Sequence, residues 1–413
     1  MMMSGMVGRL SFGRVRRQEN RGAVGCRARA GLALLHILHL SCKGVDLEVS
    51  IPISEIKAFL KRTAAEAGFD LSGIAPAEDA PELQRFPQWI ADGHAGEMKY
   101  MEARDERGEL KRASLSRVAP WARSVVVCAV NYNTDRPYST ECHESERGWI
   151  SRYAWTRQDY HDAVLSRLKR VEGSLRAAFA DANQDLVTRS YVDTGPIVER
   201  VFAKYAGVGW IGKNTCIINQ KKGSWLFLGV ILTSLELEPD LPAPDRCGTC
   251  TRCIEACPTD AILAPYQLDS NRCIAYLTIE KRGAIAEALR AGIGRHVFGC
   301  DICQDVCPWN RKAPASTLPE FAAREELVNP ALDWLAEISP EQFRGAFGGS
   351  PVLRTKRGGI RRNAVIAMGN SGRREFLPVL ERLACDEDRV VAAAAAWAIT
   401  RLKSQARLRG QDS

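Results

Sequence analysis

The sequence predicts three domains in series: an α/β domain, a small cysteine-rich domain and a helical domain. Three observations support this order. Strand-like and helix-like patterns alternate through residues 51–240, which favours α/β structure. Eight of the 14 cysteines lie between Cys247 and Cys307. Towards its end the chain carries alanine-rich segments at helical spacing. We therefore expect domains at 51–240, 241–318 and 319–413.

Residues 1–50 are expected to be an N-terminal extension, either disordered or the product of a start codon assigned too far upstream. Met1 to Arg29 contains seven arginines and a single acidic residue, Glu19. Arginine-rich, acid-poor leaders can be targeting signals, but this charged region is too long for a signal peptide. We therefore leave the segment out of the fold prediction.

The α/β prediction depends on two helices and three strands. An apolar helical pattern begins near Ser54 and ends at Gly68, and a second amphipathic pattern runs from about Asp159 to Phe179. Apolar runs rich in branched residues predict the strands. These runs are 124–132, 186–192 and 225–233.

The cysteines form two related runs. The first has the spacing Cys-x2-Cys-x2-Cys-x3-Cys-Pro, which is typical of bacterial ferredoxins that hold [4Fe–4S] clusters. The second repeats the pattern with a long insertion after its first cysteine. In two-cluster ferredoxins the fourth cysteine of each run binds the other cluster. We therefore expect one cluster on Cys247, Cys250, Cys253 and Cys307, and the other on Cys257, Cys273, Cys300 and Cys303.

The main alternative for these cysteines is structural zinc. Zinc sites usually take paired Cys-x2-Cys units and not a triple run followed by Cys-Pro. A disulfide framework is disfavoured because the chain is long and nothing else in it suggests secretion. No chemistry is assigned to the other six cysteines, which are Cys26, Cys42, Cys128, Cys142, Cys216 and Cys385.

Composition limits the classes of partner and location. The net charge is +8, which is compatible with a polyanionic partner. No stretch reaches the ~18 apolar residues that a membrane-spanning helix requires. Oxygen-sensitive clusters and free thiols fit a reducing cytoplasm. We therefore expect a cytoplasmic protein without a membrane anchor.

Three segments near the C-terminus predict helices that stack as HEAT-like pairs. They are Arg361–Gly369, Phe376–Ala384 and Val390–Ile399. Two repeats alone would be marginal, so they should pack on the rest of the protein. The arginines of this region, including Arg361 and Arg362, form either a solvated face or a surface that contacts phosphates. Charge alone does not decide between these two interpretations.

The segment from Gly207 to Thr215 imitates two nucleotide-binding motifs without matching either. The pattern G-x-G-x-x-G needs a preceding strand, whereas residues 197–205 favour a helix. The P-loop pattern needs a hydroxyl directly after Lys213, where this chain has Asn214. The glycines instead predict a backbone that turns tightly or lies close to a large flat ligand.

His161 and Asp193 each have a structural and a functional interpretation. His161 lies in a D-x-H-x-x-V segment, close to the D-x-H-x-x-G box in which a histidine ligates the cobalt of cobalamin. The missing glycine favours a residue on a helix face. Asp193 lies where a predicted strand ends, and Pro196 stands at a favoured first helical position. In the structural interpretation, Asp193 or Thr194 therefore caps this helix.

From about Ser54 to Lys403 the chain resembles the epoxyqueuosine reductase family. The segments that carry the resemblance are VDTGPIVER at 192–200, AGVGWIGKN at 206–214, YLTIE at 276–280, FGCDICQDVCPWN at 298–310 and RRNA at 361–364. The resemblance implies reduction of epoxyqueuosine to queuosine at the wobble position of tRNA, with cobalamin and two [4Fe–4S] clusters. The family is also similar to reductive dehalogenases, which share the cobalamin and cluster core.

The resemblance also implies roles for individual residues and partners. Asp193 would be the proton donor beside the cobalt, with the segment Gly207–Asn219 and the turn Gly299–Ile302 against the corrin. The cobalamin contacts that it implies are Arg112, Asp193, Lys213, Thr215, Ile217, Asp301 and Ile302. The implied partners are the anticodon loop of tRNA and an external low-potential electron donor such as flavodoxin or ferredoxin. We expect a monomer.

The chemistry of the reaction agrees with this resemblance. Removal of an epoxide oxygen needs two electrons, which clusters deliver singly and Co(I) cobalamin can hold as a pair. We expect Co(I) to act on the epoxide while Asp193, shielded from water, supplies a proton to the oxygen. The wobble base must be splayed out of the anticodon loop. The arginine-rich helical face would bind the neighbouring phosphates.

Two other functions compete with this one. A cobalamin-dependent reductase of small halogenated molecules would not need the arginine-rich helices and would usually carry an export signal. A ferredoxin-like electron carrier would not need Asp193 or the long α/β domain. Salt-sensitive tRNA binding would separate the tRNA-directed enzyme from both.

Overall fold

The structure is a computed structural model that describes residues 35–41, 46–179 and 186–409. Its first elements are β1 (Leu35–Ser41) and β2 (Asp46–Pro52), which pair antiparallel. Both fall largely in the expected N-terminal extension, whose other residues, 1–34 and 42–45, lie outside the described residues. Part of the extension therefore forms regular structure, and the domain boundaries stay a prediction.

The predicted helices and strands of the first domain are confirmed, and further short elements join them. The elements are α1 (Ile53–Glu66), β3 (Leu71–Pro76), α2 (Phe86–Ala91), α3 (Leu115–Val118), β4 (Ser124–Asn131), β5 (Trp149–Ile150), α4 (Tyr160–Ala178), β6 (Thr188–Tyr191), α5 (Glu199–Tyr205), β7 (Trp210–Ile211), β8 (Ile217–Ile218) and β9 (Leu226–Thr233). No helix in the described part of the chain is both long and apolar enough to cross a lipid bilayer.

The main sheet of this domain is antiparallel, which corrects the α/β prediction, because α/β domains are typically built on parallel strands. The strand order is β3–β4–β9–β6, and every neighbouring pair is antiparallel. Strands β4 and β6 are both antiparallel to β9, so they run parallel to each other with α4 in the connection between them. The β–α–β unit that alternation predicts is therefore present, but β9 is inserted between its two strands.

Helices cover both faces of this sheet. All eight residues of β4 are buried, so the strand has no polar alternation in its sequence. Val126 and Cys128 pack on the face covered by α1 and α4. Val125 and Val127 pack on the opposite face, against α5. Strand β6 lies at the edge of this sheet beside β9, and from its end the chain continues to Asp193.

The cysteine-rich region contains only short elements. They are α6 (Arg252–Glu255), β10 (Ile262–Ala264), β11 (Gln267–Leu268), α7 (Ile274–Ile279), α8 (Glu287–Ile293), β12 (His296–Phe298) and α9 (Ile302–Asp305). Strands β10 and β11 form an antiparallel hairpin, whereas β12 pairs with β5 in parallel. The β5–β12 pair joins the cysteine-rich region to the first domain.

Helices make up the C-terminal region. They are α10 (Leu332–Glu337), α11 (Pro340–Phe347), α12 (Lys356–Asn370), α13 (Leu377–Leu383) and α14 (Arg389–Arg409). Helix α12 packs against α10 and α14, and α13 packs against α14. Ala364 and Val365 of α12 share one core with Leu277 and Val297 of the cysteine-rich region. The helices therefore pack on the rest of the protein as expected, and their assignment to HEAT-like repeats stays a prediction.

Arg361 and Arg362 are buried, which corrects the prediction that they contact phosphates. They are 5% and 1% exposed. Arg361 bonds to both carboxylate oxygens of Asp386, at 3.1 and 2.5 Å. Arg362 donates to the carbonyls of Leu277, Lys281 and Gly283 at 2.7–2.8 Å. Both guanidinium groups are used inside the protein, because α12 presents these positions to its neighbours and not to water.

Candidate functional site

Asp193 lies at the edge of the first domain in an unusual backbone conformation. It follows β6 in the connection to α5 and has a φ of 57°, a left-handed value that aspartate tolerates better than most residues. Its side chain is 67% exposed. Helix α5 begins at Glu199 with Val198 as its N-cap. The capping interpretation of Asp193 and Thr194 is therefore wrong, and Pro196 does not occupy the first helical position.

Two side chains at the start of α4 meet the Asp193 carboxylate. Tyr160 Oη donates a hydrogen bond to Asp193 Oδ2 at 2.7 Å. His161 Nε2 lies 3.8 Å from the same oxygen. The opposite ring nitrogen of His161, Nδ1, lies 2.8 Å from Asp159 Oδ1. His161 is thus on a helix face, as expected, but it also belongs to the surroundings of Asp193, which the sequence did not indicate.

Packing fixes the rings of Tyr160 and His161. The Tyr160 ring stacks on Phe227 with centroids 4.3 Å apart and on His161 at 4.0 Å. Burial, followed by the charge of Asp193, raises the pKa of Tyr160. Although burial opposes it, hydrogen bonding from His161 lowers the pKa of Asp159. Tyr160 therefore stays a hydrogen-bond donor to Asp193, and a carboxylate holds the far side of the histidine.

Glu199 is a second carboxyl group near Asp193. Burial raises its pKa to about 7, and the charge of Asp193 adds to this effect, while Arg200 and Arg112 oppose it. Glu199 Oε1 is buried and has no hydrogen-bond partner among the described residues. A carboxyl group of this kind is neutral over much of the range in which an ordinary glutamate is charged. Sequence reasoning missed Glu199, although it lies in the same motif as Asp193.

The opening around Asp193 carries an exposed aromatic ring between two arginines. Tyr100 is 44% exposed, and the guanidinium carbons of Arg112 and Arg354 lie 5.8 and 5.3 Å from its ring centre. Arg112, one of the predicted cofactor contacts, donates to the carbonyls of Tyr100 and Gly195 at 2.6 and 2.9 Å. Arg112 therefore ties the Asp193 segment to this ring.

Several of the other predicted cobalamin contacts are hydrogen-bonded or packed within the protein. Lys213 Nζ donates to the carbonyls of Gly248 and Cys250 at 2.7 and 2.9 Å. Ile217 is 4% exposed and belongs to the core under α5. Thr215 has a φ of 65°, and its carbonyl accepts from Arg200 at 3.1 Å. The side chains of Lys213 and Ile217 are thus used within the protein, and the Thr215 backbone N–H also donates to the Gly212 carbonyl at 2.8 Å.

Asp301 is also used internally. It is 1% exposed and accepts hydrogen bonds from Trp149 Nε1 at 3.0 Å, the backbone of Arg152 at 2.8 Å and the hydroxyl of Ser151. Ile302, the first residue of α9, is half-buried. The carboxylate of Asp301 therefore orders the turn that carries Cys300 and Cys303, whereas the Ile302 side chain is only half-buried.

Two glycines of the nucleotide-like segment lie so close to neighbouring backbone that a side chain would not fit. Residues before the segment form α5, so neither nucleotide motif has its required setting. A Cβ added to Gly207 would lie 2.7 Å from the Leu241 carbonyl, and one added to Gly209 would lie 2.5 Å from that of Ile218. Gly207 also has a φ of 70°. Tight packing of the segment thus accounts for these two glycines.

The eight predicted ligand cysteines fall into two groups across the two runs. One cavity of about 250 Å³ is lined by Cys247, Cys250, Cys253 and, from the second run, Cys307. Burial and the neighbouring thiols Cys273 and Cys257 raise the pKa of Cys300. The lining of the cavity places Cys307 of the second run beside three cysteines of the first. The assignment of individual ligands stays a prediction.

Two family models match the chain. One, described as a 4Fe-4S double cluster binding domain, covers residues 246–310. The other, described as Epoxyqueuosine reductase QueG, DUF1730, covers residues 112–194. The first match assigns residues 246–310 to binding of [4Fe–4S] clusters and disfavours the zinc alternative. The second match ends one residue beyond Asp193.

Curated proteins and solved structures extend the similarity over most of the chain. The epoxyqueuosine reductase of Xanthomonas campestris pv. campestris is 38% identical over 351 residues, which are 84% of this chain and 96% of that protein. That of Synechocystis sp. is 43% identical over 297 residues, which are 71% of this chain and 98% of that protein. A crystal structure of epoxyqueuosine reductase with an epoxyqueuosine-modified tRNA stem loop superposes with a TM-score of 0.75 at 32% identity. It covers 85% of this chain and 91% of that one.

Proposed function

The chain belongs to the epoxyqueuosine reductase family, and on this premise we propose that it reduces epoxyqueuosine to queuosine at the wobble position of tRNA, the last step of queuosine biosynthesis. The reaction removes the epoxide oxygen as water and consumes two electrons and two protons. The similarity supports this function because it extends over almost the full length of the Xanthomonas relative, at 96%. The double-cluster domain at residues 246–310 supports the supply of single electrons.

The geometric observation that supports the proposal most directly is the exposed carboxyl of Asp193, held by Tyr160 Oη at 2.7 Å. A general acid must reach the atom that it protonates, so it has to face the substrate. The Asp193 side chain is 67% exposed, so it is accessible to a substrate. The expected shielding of Asp193 from water is therefore absent from the protein alone, and a bound cofactor and wobble base would have to supply it.

Cobalamin is the cofactor that we propose for this opening. Its peripheral amides are hydrogen-bond donors, and the buried, unpartnered Glu199 Oε1 beside Asp193 is an acceptor that such an amide could satisfy. The residues proposed to hold it are Arg112, Asp193, Glu199, Thr215 and the turn at 299–302. When bound, cobalamin in its Co(I) form supplies the electron pair that the epoxide consumes.

The side chains around Asp193 have separate roles in the proton transfer that we propose. Asp193 donates the first of the two protons to the epoxide oxygen, and the second comes from solvent. Tyr160 bonds to Asp193 Oδ2 and thereby leaves Oδ1 free to carry the proton. His161, held by Asp159 on its far side, lies close enough at 3.8 Å to stabilise the carboxylate after the proton has left.

The ring of Tyr100 and its two arginines would hold the substrate. Sequence-specific RNA recognition commonly splays bases out of loops and stacks them on aromatic rings. Tyr100 is exposed and adjoins the Asp193 segment through Arg112. The positive charge of Arg112 favours the phosphates that follow a splayed base, whereas that of Arg354 is paired with Glu280. This site replaces the buried Arg361–Arg362 pair as the proposed RNA contact.

A cytoplasmic location and a monomeric state complete the proposal. None of the 12 cysteines within the described residues forms a disulfide, which fits a reducing compartment. An external low-potential carrier, such as a flavodoxin or a ferredoxin, is proposed to supply the electrons.

Nucleoside analysis tests the proposed function. The protein, loaded anaerobically with iron, sulfide and cobalamin, is incubated with a reductant and tRNA that carries epoxyqueuosine. We expect epoxyqueuosine to disappear and queuosine to appear in equal amount. Fully loaded protein that leaves epoxyqueuosine unchanged would contradict the proposal. A strain that lacks the protein should accumulate epoxyqueuosine in its tRNA.

A further inference from the structure

The two groups of cysteines lie at different depths in the protein. The neighbours of the first group are exposed; they include Arg246, Gly248, Thr249, Thr251 and Arg252. The neighbours of Cys300 are buried; they are Phe298, Gly299 and Asp301. The Phe298 ring lies 5.9 Å from that of Tyr153, and Tyr153 lies 5.9 Å from Tyr160. Tyr160 bonds to Asp193, so Cys300 lies towards Asp193. The loop that carries Cys247, Cys250 and Cys253 faces water, whereas Cys307, the fourth member of the first group, is buried.

Basic side chains surround the first group. Lys213, Arg246 and Arg252 line the cavity that holds its four cysteines. Arg311 and Lys312 are exposed. They lie two to four positions after Pro308 and Trp309, which line the cavity. We name these five side chains the cationic face; they are Lys213, Arg246, Arg252, Arg311 and Lys312.

The charges of the cationic face are largely uncompensated. None of the five forms an ion pair within the described residues, and Lys213 bonds only to backbone carbonyls. The acidic side chains of the same segments are Asp245 and Glu255. Asp245 accepts from the backbone of Cys247 at 2.7 Å and from Tyr266, and Glu255 accepts from Thr251. Five basic side chains against these two carboxylates leave a net positive charge at the mouth of the first group.

Apolar surface adjoins the cationic face. Tyr266 is 36% exposed, and its backbone bonds to the Lys213 carbonyl at 3.0 Å. Trp309 lines the same cavity. A small apolar centre with a charged rim fits the weak, short-lived interfaces through which redox proteins exchange electrons.

We propose that the cationic face is the docking surface of a small acidic protein that carries one electron at a time. The inference rests on the proposed function, which consumes electrons in pairs but receives them singly. Each docking event transfers one electron from the reduced carrier to the cluster of the first group and leaves the carrier oxidised. Two events supply the two electrons that one epoxide consumes.

A role confined to the cluster itself explains the cations less well. Positive charges close to a cluster offset the negative charge of its thiolates, and Lys213, half-buried against Cys250, is placed to do this. Arg246, Arg252, Arg311 and Lys312 are exposed, where water and salt screen their effect on a cluster. Exposed charges of one sign instead steer an oppositely charged partner and raise its association rate.

The test measures how fast a reduced flavodoxin bleaches the visible absorbance of the clusters, in anaerobic stopped flow without tRNA. The Arg246→Glu/Arg252→Glu variant should lower the bimolecular rate about tenfold or more at low salt and flatten its salt dependence. The Arg311→Glu/Lys312→Glu variant leaves the cysteine loop untouched and should act in the same direction. Binding of oxidised flavodoxin, measured by calorimetry, should weaken in parallel.

Controls separate docking from other effects. Arg374→Glu/Arg389→Glu makes the same change in net charge on exposed residues of the helical region. It should leave the rate within about twofold of the parent, since charges beyond the Debye length are screened. Reduction by methyl viologen radical and the iron content should be unchanged in every variant. These measurements need no turnover, so they remain interpretable even if the proposed function fails.

Two results would overturn the inference. One is an unchanged flavodoxin rate and salt dependence in both charge-reversal variants. The other is an unchanged flavodoxin rate together with lost affinity for a tRNA stem loop, which would assign the cationic face to RNA.

Discussion

Tyr160 Oη donates a hydrogen bond to Asp193 Oδ2 at 2.7 Å, although the two residues are 33 positions apart in the chain. The contact exists because α4 and β6 pack side by side in the first domain. It fixes one oxygen of an otherwise exposed carboxyl group, and Tyr160 is itself fixed by stacking on Phe227. The proposed acid is therefore oriented before any substrate arrives.

Asp193→Asn should abolish most turnover while leaving both clusters and cobalamin in place. Asparagine keeps the size and tolerates the left-handed backbone, but it cannot donate the proton. We expect a loss of about a hundredfold or more in turnover, typical for removal of a general acid. Asp162→Asn, at an exposed aspartate of α4, is the matched control. Unchanged turnover of the Asp193 variant would remove its assigned role.

Tyr160→Phe should lower turnover about tenfold with little loss of stability, because it removes one hydrogen bond worth about 1 kcal/mol and keeps the stacked ring. Two quantities are measured for the variant: the pH dependence of turnover and the unfolding temperature. A parallel loss of both would show that the hydroxyl serves the fold and not the acid.

Glu199→Gln should change the pH dependence of stability. Folding raises the pKa of Glu199 to about 7, so the folded protein binds the proton more tightly than the unfolded chain. Stability should therefore fall as pH rises from the ordinary glutamate range to about 7, by at most on the order of 3 kcal/mol. The Gln variant lacks this fall, so its unfolding temperature relative to the parent should rise over that window. Glu287→Gln, at the exposed first residue of α8, should show no such trend.

Arg362→Glu should damage the fold and not only RNA binding. The guanidinium is 1% exposed and holds three carbonyls, so a carboxylate there would face acceptors without a donor. We expect a loss of about 3 kcal/mol or more, or no soluble protein. Thermal unfolding with Arg374→Glu as the exposed control checks this. A normally stable variant with weakened tRNA binding would restore the phosphate-contact interpretation.

Cys307→Ala should remove the cluster of the first group and spare the other. The iron content should fall by about half, since each cubane holds four irons. Electron paramagnetic resonance of the reduced protein should match that of a Cys250→Ala variant. Cys385→Ala, at an exposed cysteine, is the control. Different spectra for Cys307→Ala and Cys250→Ala would contradict the exchange of the fourth cysteine.

The sequence predicted those parts of the fold that depend on local pattern. Buried strands such as β4 and the long helix α4 were found from apolar runs, and the cysteine groups from spacing. The insertion of β9 between β4 and β6 was not predictable, because strand order depends on packing between distant segments. Pro196 misled the prediction of the helix start, since the left-handed Asp193 keeps the chain irregular until Glu199.

The sequence predicted the central residue of the candidate site but not the side chains that surround it. Asp193 was singled out from its motif, whereas Tyr160 and His161 come from α4 and Tyr100 from a loop. Only the fold brings these side chains together. The error at Arg361 and Arg362 has a related cause. The sequence of an alanine-rich helix does not show whether its arginines bond to buried acceptors or face water.

The bonds of Arg362, together with those of Asn363 to the carbonyls of Thr278 and Val297, have a consequence for how this protein can be shortened. These carbonyls belong to α7, to the loop that follows it and to β12, and the two elements flank Cys273 and Cys300. A protein cut before α12 would therefore lose the scaffold behind its inner iron–sulfur centre. Truncation should be felt first as faster decay of that centre in air, so the helical tail is as much a part of the redox machinery as the cysteines themselves.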